Sequence, residues 1–191
     1  GGSTFKSTDG LNFTAAAPVP NTNVNAVIYN LSKYMAVGAS GIIYTSTDLN
    51  TWTPANAATG QNLNAIASNG TIAIVVGNNG TVRSTADGIV WTGVTVPTTQ
   101  NLYGITYTAA GYWGAVGAGG TVLTSADGVT WTAAASGTTA DLRAVAVQAY
   151  TTYTYVAVGD GGTILRSTHN GATWAAQASP TQSNLLAVSA A

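Results

Sequence analysis

The chain has 191 residues, a formal net charge of −1 and only 6% charged residues, against roughly 25% in an ordinary soluble domain. Five Lys and Arg with no basic stripe cannot neutralise a run of phosphates, and no Lys/Arg cluster or long apolar run supports a membrane span, so neither nucleic acid nor membrane insertion is expected. Cysteine and glutamate are both absent, which removes disulfides, thiolate metal sites and the usual acid of glycosidases.

The chain opens partway through a structural unit. Gly1 to Lys6 reads like Asn79 to Ser84 further on, a strand, and leads into Ser7-Thr8-Asp9-Gly10-Leu11-Asn12-Phe13. Residues 24–62, 63–101, 102–141 and 142–184 then each read as a full unit, and 185–191 as the start of another. The unit at 63–101 carries four short runs punctuated by Gly, Asn, Asp and Pro. They are Leu63 to Ser68 (A), Thr71 to Val76 (B), Thr81 to Thr85 (C) and Ile89 to Val94 (D). Asn69-Gly70 between A and B favours a type I′ turn. Strand A recurs as Val24-Asn25-Ala26-Val27, Leu102-Tyr103-Gly104-Ile105, Leu142-Arg143-Ala144-Val145 and Leu185-Leu186-Ala187-Val188. Strand B recurs with the endings Ala36-Val37-Gly38, Ala115-Val116-Gly117 and Ala157-Val158-Gly159. No stretch holds a 3.6-residue apolar period, so essentially no helix is expected.

The C-to-D turn recurs as Ser46 to Trp52, Thr85 to Trp91, Ser125 to Trp131 and Ser167 to Trp174. Its closing aromatics at 13, 52, 91, 131 and 174 are 39, 39, 40 and 43 residues apart. A unit near 40 residues cannot bury its own apolar face and must stack on copies of itself. Four antiparallel strands per unit predict an all-β, five-bladed β-propeller in a single domain over 1–191. A β-solenoid is the alternative, with shorter repeats and parallel strands. One blade is expected to be split between the termini. Its strands C and D come from the first 23 residues and its strand A from Leu185 to Ser189, while its second strand, B, is missing. That gap would leave backbone groups without partners at about 1–3 kcal/mol each where water is excluded. The expectation is therefore another protein chain donating a β-strand into a slot bounded by Thr4, Phe5, Lys6, Leu185, Ala187 and Val188, with a truncated sequence as the alternative.

The turn motif Ser-X-Asp-X-Gly-X-Thr-Trp resembles the Asp box of sialidase-like, BNR-repeat and photosystem-assembly-factor propellers. Ser167 to Trp174 has its full spacing with His169 in place of the Asp, and the other four copies are one residue shorter. The resemblance implies a propeller hairpin and no particular activity. It gives Asp9, Asp48, Asp87, Asp127 and His169 structural roles at the turns. Sialidase chemistry would need an arginine triad and a Tyr–Glu pair. Arabinanase-like chemistry would need a Glu acid with Asp partners. Neither set is present, and no catalytic residue, metal site or cofactor is expected. The second residue of strand A is variable, and Asn25, Asn64, Tyr103, Arg143 and Leu186 form a candidate ring at the channel mouth. Sequons stand at Asn12, Asn30, Asn69 and Asn79, so glycans are a further candidate partner.

A charge-poor Thr, Ser, Asn and Gly surface suits a protein held in a fixed assembly or carrying sugars. The chain starts at Gly1, and we expect a processed or fragmentary product from which any targeting segment has gone. The functional expectation is a non-enzymatic extracellular or cell-surface propeller, a structural or display subunit of a filament- or pilus-like assembly. The alternatives are a lectin of the five-bladed tachylectin kind and a protein-assembly-factor propeller.

Overall fold

The computed structural model describes residues 2–20, 23–149 and 153–189. Gly1, Ala190 and Ala191, the ends expected to meet, lie outside the described residues. The described chain forms five antiparallel sheets, the arrangement of a five-bladed β-propeller. The first is two-stranded, β1 (Gly2–Lys6) with β2 (Thr14–Val19). Four four-stranded blades follow. Blade 2 holds β3 (Val24–Asn30), β4 (Lys33–Gly38), β5 (Ile42–Ser46) and β6 (Thr53–Asn56). Blade 3 holds β7 (Leu63–Ser68), β8 (Ala73–Gly77), β9 (Val82–Thr85) and β10 (Thr92–Gly93). Blade 4 holds β11 (Leu102–Tyr107), β12 (Trp113–Gly117), β13 (Val122–Ser125) and β14 (Thr132–Ala134). Blade 5 holds β15 (Leu142–Ala149), β16 (Tyr153–Gly159), β17 (Ile164–Ser167) and β18 (Ala175–Ala176). Helical structure among the described residues is limited to three single 3₁₀ turns, at 39–41, 118–120 and 160–162.

The core lies between blades. Successive inner strands touch, β3 on β7, β7 on β11 and β11 on β15. Met35, Val37 and Ile43 of blade 2 pack on Leu63, Ile66 and Trp91 of blade 3. Ile74, Val76 and Val82 pack in turn on Leu102, Ile105, Leu123 and Trp131. Val116 and Val122 pack on Leu142, Val145, Tyr155 and Leu165. Each B strand thus sends alternate side chains forward to the next blade and back to the previous one, as its period of two requires.

A second repeated device locks the blades. The loops before strand A share Thr-X-X-Asn/Asp-Leu, at Thr59 to Leu63, Thr98 to Leu102, Thr138 to Leu142 and Thr181 to Leu185. The Oδ1 atoms of Asn62, Asn101, Asp141 and Asn184 accept the backbone N–H of Ser40, Asn79, Gly119 and Gly161, each on the preceding blade. Their donors stand at φ 53° to 62°, in the left-handed region, which is the geometry that aims the N–H across the blade gap. The signal was present as a spacing, but its partner lies on another blade, outside any local window.

Three expectations need correcting. Leu185–Ser189 forms no strand. The Leu185 N–H donates to the Gly159 carbonyl of blade 5 at 3.0 Å, and no ladder joins this segment to β1. A strand exists only through its partner, and among the described residues this segment has none. The D strands of the four-stranded blades are shorter than expected, because the Asp turns consume their first residues; β10 and β18 have two residues each. Asn69-Gly70 is not a type I′ turn, since only Gly70 has positive φ, at 94°. Instead Asn69 Oδ1 accepts the backbone N–H groups of Thr71 and Ile72, and this side-chain turn satisfies the hairpin.

Candidate functional site

At the C-to-D turns, Oδ1 of Asp9, Asp48, Asp87 and Asp127 each accepts two backbone N–H groups two and three residues on, at 2.7–2.9 Å. The hydroxyl two residues earlier, on Ser7, Ser46, Thr85 or Ser125, donates to the same oxygen. Donors aimed at the ionised form hold all four carboxyls below their ordinary range. At Asp127 the N–H of Thr130, then that of Val129, lowers the pKa from 3.8 to about 2. These groups keep their charge more firmly folded than unfolded. Their stabilisation is therefore complete above the unfolded value and is lost as pH falls through the folded one. The melting temperature, followed by circular dichroism, is expected to drop between about pH 4 and about pH 2, and Asp127→Asn to remove part of that slope. A flat profile over that window would contradict the assignment.

His169 replaces the carboxylate with weaker contacts. Its Nδ1 lies 3.3 Å from the hydroxyls of Thr168 and Thr173. The extra residue in this copy is absorbed by two left-handed positions, Asn170 and Gly171. Trp91 and Trp131 are buried and Trp174 partly so, whereas Phe13, which closes the turn of the two-stranded sheet, is exposed.

The residues expected at the channel mouth are largely tied to one another. Asn25 and Asn64 donate from Nδ2 to the carbonyls of Leu63 and Leu102, one blade on, both at 2.8 Å. The Arg143 guanidinium lies 4.9 Å from the centre of the Tyr103 ring. It also binds Asp160, Nε to Oδ1 at 2.8 Å, and Asp141, at 3.2 Å. The Asp160 hydrogen bond raises the Arg143 pKa, and Arg143 lowers that of Asp160. Leu186 is exposed. The sequon asparagines sit at turns or strand ends. Asn12 Nδ2 donates to Asp9, Asn79 Nδ2 to Gln61, and the Asn69 oxygen is engaged as above. The Asn30 Oδ1 is buried without a hydrogen-bond partner among the described residues.

The slot residues divide. Thr4 and Phe5 line a groove of about 360 Å³ whose walls are Val19, Val24, Val27, Tyr34, Ala36, Leu49 and Trp52. Lys6 follows them on β1, and Leu185, Ala187 and Val188 belong to the segment that forms no strand. At its rim the two-stranded sheet is fastened to blade 2. The Ala17 N–H donates to Leu49 O at 3.2 Å, and Trp52 Nε1 donates to Ala17 O at 3.1 Å. The face of blade 2 further in is uncovered. Val24 is 36% exposed and Val27 57%, whereas their counterparts Leu63, Leu102 and Leu142 are at 0% and Ile66, Ile105 and Val145 at 7–9%. β1 also pairs with β2 alone, whereas β5, β9, β13 and β17 each lie between two strands. An apolar wall beside an unpaired strand edge is the geometry that accepts an added strand.

No protein-family model and no curated protein matches the chain. Solved structures do. YCF48 from Cyanidioschyzon merolae aligns at 18% identity and TM-score 0.69, over 95% of this chain and 66% of that one. YCF48 bound to D1 peptide aligns at 16% identity and TM-score 0.62, over 87% and 61%. The GH74 enzyme of Niastella koreensis aligns at 23% identity and TM-score 0.59, over 83% of this chain and 25% of that one. This chain is therefore similar in fold to these β-propellers and spans less than two thirds of the length of each.

Proposed function

We propose that the chain is a non-catalytic, polypeptide-binding propeller that takes an extended segment of a partner protein into the groove between β1 and blade 2. The observation that carries this reading is the exposure of Val24 and Val27 at positions buried on every other four-stranded blade. A propeller of similar fold solved with a peptide, YCF48 with D1 peptide, supports it. This favours the protein-assembly reading over the display subunit. The charge-poor surface was the chief pointer to an extracellular filament, and it suits a protein enclosed in any protein assembly equally well. Against a glycosidase role, Asp141 and Asp160 are both held by Arg143, and the other four aspartates are spent on turns.

The test is an array of varied ten-residue peptides probed with the protein and with Val27→Asp, whose folding is checked by circular dichroism. The wild type is expected to retain a set of extended apolar peptides and Val27→Asp to lose at least tenfold in signal on them. No bound peptide, or the same set bound equally by both proteins, would contradict the proposal.

A further inference from the structure

The four complete blades specify what the groove should hold, because each contains the strand that the two-stranded sheet lacks. Those strands read Tyr34-Met35-Ala36-Val37-Gly38, Ala73-Ile74-Val75-Val76-Gly77, Trp113-Gly114-Ala115-Val116-Gly117 and Tyr155-Val156-Ala157-Val158-Gly159. The valine before the glycine pairs with the first residue of strand C, Val37 with Ile43, Val76 with Val82, Val116 with Val122 and Val158 with Ile164. Counting from the Asp turns, the matching residue of β1 is Thr4.

The glycine is fixed by contact. A side-chain carbon at Gly38, Gly77, Gly117 or Gly159 would fall on the carbonyl oxygen of Asn23, Asn62, Asn101 or Asp141, well inside contact distance. That same oxygen accepts the N–H of the residue after the glycine, from Ala39, Asn78, Ala118 or Asp160, at 2.8–3.1 Å. The close approach and the hydrogen bond are one feature, so the glycine cannot be traded for alanine without losing both. By its place in the Thr-X-X-Asn-Leu spacing, Asn184 is the repeat equivalent of Asn62, Asn101 and Asp141. Its side chain is latched to Gly161 just as Asn62, Asn101 and Asp141 are latched to their neighbours.

Alternation fixes the rest. Met35 with Val37, and Ile74 with Val76, face the next blade, while Val75, Ala115 and Ala157 face the previous one. In the groove the forward face is Val24 and Val27.

Resting on the polypeptide-binding reading, we propose that the groove selects a strand ending in Ala/Val–Val–Gly, the part of the pattern that all four complete blades share, with an apolar residue before it as in blades 2, 3 and 5. It lies antiparallel to β1, its valine opposite Thr4 and its glycine against the Asn184 carbonyl. The apolar residue and the valine cover Val24 and Val27, continuing the interface already formed between the other blades. The Ala or Val before the valine faces away from blade 2.

The probe is a fluorescent peptide of the chain's own residues 32–41, which carries this pattern with a lysine for solubility. Binding is read by anisotropy for this peptide, for its Gly38→Ala and Val37→Asp forms, and for a scrambled control. The parent is expected to bind, Gly38→Ala to weaken it at least tenfold, and Val37→Asp and the scramble to bind no better than background. Equal binding of parent and Gly38→Ala would overturn the register while leaving polypeptide binding intact. Failure of the parent, with array peptides of another pattern bound, would overturn the sequence class alone. Failure of every peptide, array included, would overturn both.

Discussion

Replacing Gly117 by valine is expected to abolish cooperative folding. The new side chain would meet the Asn101 carbonyl and the Leu102 backbone, which belong to the neighbouring strand and carry the blade's first hydrogen bonds. Neither can retreat without opening the sheet. The cost is about 4 kcal/mol or more, a large part of the roughly 5–15 kcal/mol that stabilises a domain. Gly119→Ala, two residues on, is the control. Nothing lies within 4 Å of a side-chain carbon there, and the backbone φ is 60°, so the cost is about 1–2 kcal/mol of left-handed strain. Urea denaturation separates the two. A Gly117→Val protein that melts like the wild type would mean that the strand contact is looser than described.

The second large effect contrasts repeat-equivalent positions. Leu102→Ala empties a site that is 0% exposed between blades 3 and 4 and is expected to cost about 2–5 kcal/mol. Val24→Ala, at the same place in blade 2 but 36% exposed, should cost less than about 1 kcal/mol. The difference measures how far blade 2 lacks the cover its siblings have. Equal losses would mean that the face is buried.

Much of this fold was legible because its determinants are local. The Asp turn is a hydrogen-bonded loop closed within four residues, so Asp48 and Asp127 could be placed by inspection of their neighbours. The inner strands were legible because Leu63, Leu102 and Leu142 start the same short run. What escaped acts between blades. The Thr-X-X-Asn spacing looks like ordinary loop until Asn62 is seen to reach Ser40, 22 residues back. Arg143 likewise read as one member of a variable ring, and only the fold brings Asp141, Asp160 and Tyr103 around it. The unpaired edge of β1 among the described residues was foreshadowed by the alignment of repeats. Its consequence, a bare wall at Val24 and Val27, is a matter of packing that no single segment reveals. Leu185–Val188 forms no strand for the same reason, since its strand propensity has no neighbour to act on among the described residues.

The open groove can be probed directly, because the chain has no cysteine and a single one can be placed at will. Val27→Cys and Ile66→Cys occupy equivalent positions, 57% and 7% exposed. Their labelling rates with a maleimide can be compared with and without the 32–41 peptide. Fast modification at position 27, slow modification at position 66, and protection of position 27 by the peptide alone are the predicted results. A thiol at position 27 as slow to react as one at position 66 in the free protein would contradict the account.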